Sequence, residues 1–138
     1  MLSRVPLLLR KLSGWLHFRM FTLNKLQAAA RRSQERKYAG DWVFQVVPGD
    51  GLSFDYGVDY TECAILKFLE AQDAIELLPY LCNIDYLVSK AMGTGLRRTK
   101  TLAWGCEMCD FRFKKGREVQ QPWPPAFVEK QCRETSAQ

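Results

Sequence analysis

The stretch "DWVFQVVPGDGLSFDYGVDY", Asp41 to Tyr60, constrains the fold more than any other part of the chain. Two β-branched and aromatic runs flank Pro48-Gly49-Asp50-Gly51, the pattern of two strands joined by a turn. Farther on, "LRRTKTLAWG" and "CDFRFKKG" alternate with period two across a short Gly-containing connection and predict a second hairpin. Between the hairpins lie two helical stretches. "TECAILKFLEAQDA" starts at Thr61 as N-cap and puts Cys63 in the first turn. "IELLPYLCNIDYLVSKAM" carries Pro79 early and stops at the Gly93 to Gly95 turn. The expected fold is therefore α+β: a mostly antiparallel sheet of about four strands, in two hairpins, packed against helices on one side. A Rossmann arrangement is excluded, because no strand leads through a G-x-G-x-x-G turn into a helix.

The flanks differ from this centre. Residues 1–38 hold nine Lys/Arg and one acid, net +8, whereas 39–138 hold eleven and fourteen, net −3. Basicity confined to one segment gives the body no nucleic-acid footprint. Leu8, Leu9, Leu12, Trp15, Leu16, Phe18, Leu23 and Leu26 recur at roughly helical spacing, so residues 2–37 form a long or broken amphipathic helix with Gly14 as a weak point. Its apolar stripe either packs on the sheet, the reading preferred here, or lies on an anionic membrane surface. The opening apolar run ends at Arg10 and Lys11 with no clean cleavage site, so a cytoplasmic protein is expected. The chain divides into a basic helical segment (1–38), an α+β core (39–117) and a Pro-rich polar tail (118–138), one domain overall. The sequence does not define an oligomeric state.

Five cysteines, an odd number, argue against a disulfide framework and make reduced thiols the default. Cys106 and Cys109 form a Cys-x-x-Cys pair at the entry to a strand. A dithiol redox couple normally sits at a helix start, and a zinc ribbon needs a second pair, so neither reading is favoured. Cys82 and Asp85 are three residues apart on one helix and share a face, with Tyr86 beside them. An acid set among the apolar residues of "LCNIDYLV" must face water or find a partner. Cys63, near a helix start, is a candidate nucleophile or ligand, with packing as the alternative. Arg98 could hold a carboxylate through paired N–H groups, while Arg97 reads as a solvated strand edge. His17, the single histidine, lies apart from these clusters as a surface or packing residue, which leaves no imidazole for a triad.

Taken in order, "FDYGVDYTECAILKFL", "LPYLCNIDYLVSKAMGTGLRRTKTLAWG" and "CDFRF" resemble the L-2-amino-thiazoline-4-carboxylic acid hydrolase family. The most specific matches are Tyr56 with Thr61-Glu62-Cys63, Cys82 with Asp85-Tyr86, Arg98-Thr99 through Leu102-Ala103, and Cys109-Asp110-Phe111. Cys106 stands where the family usually has glycine, so its Cys-x-x-Cys is a by-product of that substitution, and a turn built for φ > 0 is expected to change there. A more distant similarity to vinyl-reductase-type small-ligand-binding domains supports the α+β reading. The resemblance implies opening of a thiazoline ring to a carbamoyl-cysteine, with Cys63, Cys82, Asp85 and Cys109 as catalytic candidates. Asp85 would be the base, Cys82 or Cys63 a nucleophile or proton donor, and Arg98, Tyr56 and Tyr86 the substrate-binding set. No cofactor is expected for a hydrolase of a small molecule; the competing reading is a non-catalytic module holding a small ligand, or zinc on Cys63, Cys82 and Cys109.

Overall fold

The computed structural model describes residues 6–119, with the backbone alone at positions 7, 10, 11, 13 and 21. Most of the expected Pro-rich tail lies outside the described residues. The elements are α1 (Leu7–His17), α2 (Met20–Ser33), β1 (Val43–Pro48), β2 (Tyr56–Glu62), α3 (Ala64–Ala71), α4 (Leu78–Met92), β3 (Leu96–Arg97) and β4 (Cys109–Phe113). The four strands form one antiparallel sheet in the order β1-β2-β4-β3. The α+β expectation holds, with one addition: β4 also pairs with β2, so the two hairpins merge into a single sheet.

Period two decides which side chains meet the helices. Tyr60 pairs with Cys109, Val58 with Phe111 and Tyr56 with Phe113, all on one face, while Asp59, Asp110 and Arg112 occupy the other. Tyr86 of α4 packs with Leu96 and Val119, and Phe111 and Phe113 lie against them. A buried hydroxyl pair fixes the end of α4 to the sheet: Ser89 Oγ lies 2.8 Å from Thr94 Oγ1 and accepts the Leu96 N–H at 2.8 Å. Gly93 terminates α4 in the left-handed conformation, φ 69°.

Two local expectations change. The Thr61 side chain does not cap a helix, because Thr61 still belongs to β2 and bonds the Val43 carbonyl, and the extended residue that precedes α3 is Cys63. The basic helix breaks at Phe18 and Arg19, not at Gly14. Gly14 is instead a contact point, since a Cβ there would overlap the Met92 carbonyl at the end of α4.

The stripe of α1 departs further from the preferred reading. Leu8 is 79% exposed, and Leu9, Leu12, Trp15 and Leu16 are exposed with it. α1 leans on α4 through Gly14 and leaves Leu8, Leu9, Leu12 and Leu16 facing outward. Among the described residues no helix is long and apolar enough to cross a membrane. At the free edge of β1, Phe44 offers its N–H to Ser33 Oγ at 3.2 Å, and its carbonyl accepts the Gln34 side chain at 2.7 Å.

Candidate active site

The helix-facing side of the sheet and the two helices above it enclose a cavity of about 360 Å³. Phe44, Tyr60, Cys109 and Phe111 form its floor; Cys63 and Ile65 enter from the start of α3; Leu81, Cys82 and Asp85 from α4; Arg98 from the residue after β3. Cys82 and Asp85 project together because they are one helical turn apart, as their spacing predicts. The free thiols of Cys63, Cys82 and Cys109, from three separate elements, therefore share one hollow with one carboxylate and one guanidinium.

The Arg98 side chain is confined, with 4% of it exposed. Its guanidinium lies over the Tyr86 ring at 5.0 Å and the Phe111 ring at 5.1 Å. Nη1 donates to Asp85 Oδ2 at 3.1 Å and Nη2 to the Cys82 carbonyl at 3.1 Å. Among the described residues the buried Nε has no hydrogen-bond partner, which leaves one donor of the fork unanswered beside the cavity. A second-face residue holds the segment in place: the Asp110 carboxylate accepts the Thr99 N–H at 2.8 Å and the Thr99 hydroxyl at 2.5 Å, and also takes the Lys100 N–H. With residues 99 and 100 pinned to the far face, period two turns Arg98 inward.

The electrostatics separate the acids. Burial pushes the Asp85 carboxyl above its ordinary range, with the Arg98 charge and hydrogen bond opposing the rise, and the 44% exposure of the Asp85 side chain limits it. Burial, only partly offset by Arg98, pushes the Cys82 thiol up to about 11, so it is protonated at neutral pH. Cys109 is also raised by burial, although its sulfur accepts the Leu102 N–H at 3.2 Å and lies 3.4 Å from the hydroxyl of buried Thr101. Tyr60 is raised by burial and by the neighbouring Asp85, Cys109 and Cys63, and remains a neutral phenol.

The two tyrosines expected to touch substrate do not line this cavity. Tyr56 is 4% exposed; its hydroxyl bonds His17 Nε2 and its ring stacks on Phe113 at 5.0 Å. That places it at the far end of β2, in an aromatic cluster with His17 and Phe18. Tyr86 acts on Arg98: its ring supports the cation and its hydroxyl donates to the Arg98 carbonyl at 3.4 Å. Tyr60 and Phe44 were missed. The alternation that puts Tyr56 and Tyr60 on one face is visible in sequence, but only the strand pairing shows that Tyr60 sits beside Cys109.

The Cys-x-x-Cys pair is not a redox couple, because Cys109 is free while Cys106 is disulfide-bonded, which corrects the expectation that every thiol is reduced. The left-handed residue of the turn is Gly105, φ 77°, and Cys106 is not among the residues with positive φ, so the substitution is accommodated. Among the described residues no group of three or more His, Cys, Asp or Glu is disposed to hold a metal ion, and the zinc reading finds no support in this geometry.

Over residues 17–113, more than half of the chain, the sequence matches the L-2-amino-thiazoline-4-carboxylic acid hydrolase family. The chain belongs to this family. The matched region contains every residue that lines the cavity of this thiazoline-carboxylic acid hydrolase family member. No curated protein and no solved structure matches the chain.

Proposed function

We propose that the protein hydrolyses a 2-aminothiazoline carboxylate in the thiol-lined cavity, opening the ring to a carbamoyl-cysteine. The observation that carries this reading is the Asp85–Arg98 pair on the wall of a small cavity with three free thiols, within a chain of a hydrolase family. Arg98 supplies the cation for the substrate carboxylate, and its unpaired Nε is a donor in reserve. Asp85, raised by burial, takes a proton from water as the oxygen adds to the carbon of the C=N bond; the π pair moves to the ring nitrogen. Asp85 passes that proton to the ring nitrogen. The tetrahedral carbon then loses its C–S or C–N bond as its hydroxyl collapses to C=O. The departing atom takes a proton from a donor that the hydroxyl proton restores. Cys82, protonated at neutral pH, and the neutral Tyr60 phenol are suited to give it. Cys63, at the start of α3, is the remaining candidate nucleophile.

The test is incubation of the full chain with L-2-amino-thiazoline-4-carboxylate, with product identified by NMR and mass spectrometry. The expected result is a carbamoyl-cysteine, N-linked if the C–S bond breaks and S-linked if the C–N bond breaks. Saturable binding without product would make the cavity a ligand-binding module and end the catalytic reading.

A further inference from the structure

A second, smaller cavity of about 190 Å³ opens on the opposite face of the sheet, and its lining includes Arg97, Arg112, Arg117 and Asp110. Arg97 and Arg112 are in-register partners across β3 and β4, so two like charges stand directly opposite each other, an arrangement that destabilises a strand pair. Gly57, across from Arg112, leaves room for that side chain: a Cβ there would lie 2.9 Å from Arg112 Cδ and Nη1. Arg112 Nη1 is engaged by Asp59 at 2.6 Å. Arg117 is held by backbone carbonyls, donating to Gly95 and Ser53 at 2.9 Å and to Arg112 at 2.6 Å. Among the described residues neither Arg97 nor Arg117 has a carboxylate in ion-pair range. The lining carboxylate, Asp110, has both oxygens occupied by Thr99 and Lys100.

We propose that this cleft binds a phosphate group, a dianion bridging Arg97 and Arg112 with the fixed charge of Arg117 behind it. Three guanidiniums against the carboxylates of Asp59 and Asp110 leave the cleft net positive, and several forked N–H groups at one place match the oxygens of a phosphate better than the two of a carboxylate. Arg97 and the remaining N–H groups of Arg112 are the donors free to fork onto phosphate oxygens. The anion would relieve the repulsion that the register imposes and tighten β3 on β4. Because Arg97 and Arg98 are consecutive and face opposite sides, the same event would steady the guanidinium in the thiol cavity.

The experiment is thermal unfolding of the full chain with rising inorganic phosphate, at ionic strength held constant with potassium chloride. A saturable rise in midpoint is expected, with half-saturation shifted at least tenfold by Arg97→Gln and by Arg112→Lys; Arg97 is exposed, so its replacement leaves the packing alone. No saturable rise, or a rise unchanged in both variants, overturns the proposal. An equal response to acetate overturns the phosphate assignment in favour of a carboxylate. Loss of the response in Arg98→Lys, with retention in Arg97→Gln, would place the anion in the thiol cavity and equally overturn it. Product formation from the thiazoline is a separate readout, so either proposal can fail alone.

Discussion

Arg98 Nη1 lies 3.1 Å from Asp85 Oδ2 across a boundary in exposure, the arginine enclosed between two aromatic rings and the aspartate open to the cavity. The buried cation depends on a partner that can also reach substrate. Binding and proton transfer are thus coupled in one pair, and each of its members has a distinct expected phenotype.

Asp85→Asn keeps the shape of the side chain and removes the base. Turnover of the thiazoline carboxylate should fall by about 10²- to 10⁴-fold, the range of general base catalysis, with an unchanged circular dichroism spectrum. Wild-type turnover in that variant would exclude Asp85 from the chemistry.

Arg98→Lys retains a charge and loses the planar fork that reaches both Asp85 and the Cys82 carbonyl. The loss of charge-assisted hydrogen bonds should raise KM by roughly 10- to 100-fold. Steady-state kinetics would contradict the assignment if KM stayed constant.

Cys82 provides a pH test. Its thiol pKa is raised in the folded state to about 11, so the folded protein holds the proton more tightly than the unfolded chain does. The linked stability is complete below the unfolded thiol pKa of about 8.5 and is lost as pH rises from there through about 11. Denaturant midpoints should decline across that window, and Cys82→Ser should flatten the decline. Alkylation of Cys82 by iodoacetamide, followed by mass spectrometry, should be slow at pH 7 and accelerate steeply only toward the top of the window.

Asp110→Ala should disturb Arg98 without touching the cavity. Three exposed donors of residues 99 and 100 lose their acceptor and turn to water, at a net cost of about 0.5–1.5 kcal/mol per bond. Both unfolding midpoint and kcat/KM should drop, and Asp110→Asn, which keeps one acceptor oxygen, should fall between. Unaltered kinetics would separate the clamp from the site.

Gly14→Ala tests the packing of α1. In an open helix this change stabilises by roughly 0.5–1 kcal/mol; here the added Cβ meets the Met92 carbonyl. The expected result is a lower unfolding temperature, and a higher one would show that α1 does not approach α4 this closely.

Much of the site was legible before the fold. The Cys82–Asp85 spacing and the Arg98 position depend on local periodicity, which survives whatever the rest of the chain does. Residues whose roles arise from strand pairing were not legible: Tyr60 gains its place from Cys109 opposite, and Tyr56 loses its place because the same strand carries it to His17. Thr61 shows a similar limit, since it stays within β2 and its hydroxyl donates to the Val43 carbonyl across the strands instead of capping a helix. The helical spacing of α1 is visible in sequence, but periodicity identifies a face and not what lies against it. Only the close approach at Gly14 shows that the leucines turn away from the body.

The sheet ends in two borders that offer little to an incoming strand. On one, β3 is two residues long; on the other, Ser33 and Gln34 already occupy the outward N–H and C=O of Phe44. A strand added beside β1 would find the outward groups of Phe44 already taken by the end of α2 and the residue after it. Edge pairing is thus opposed at the start of β1 and along a β3 too short to template a strand.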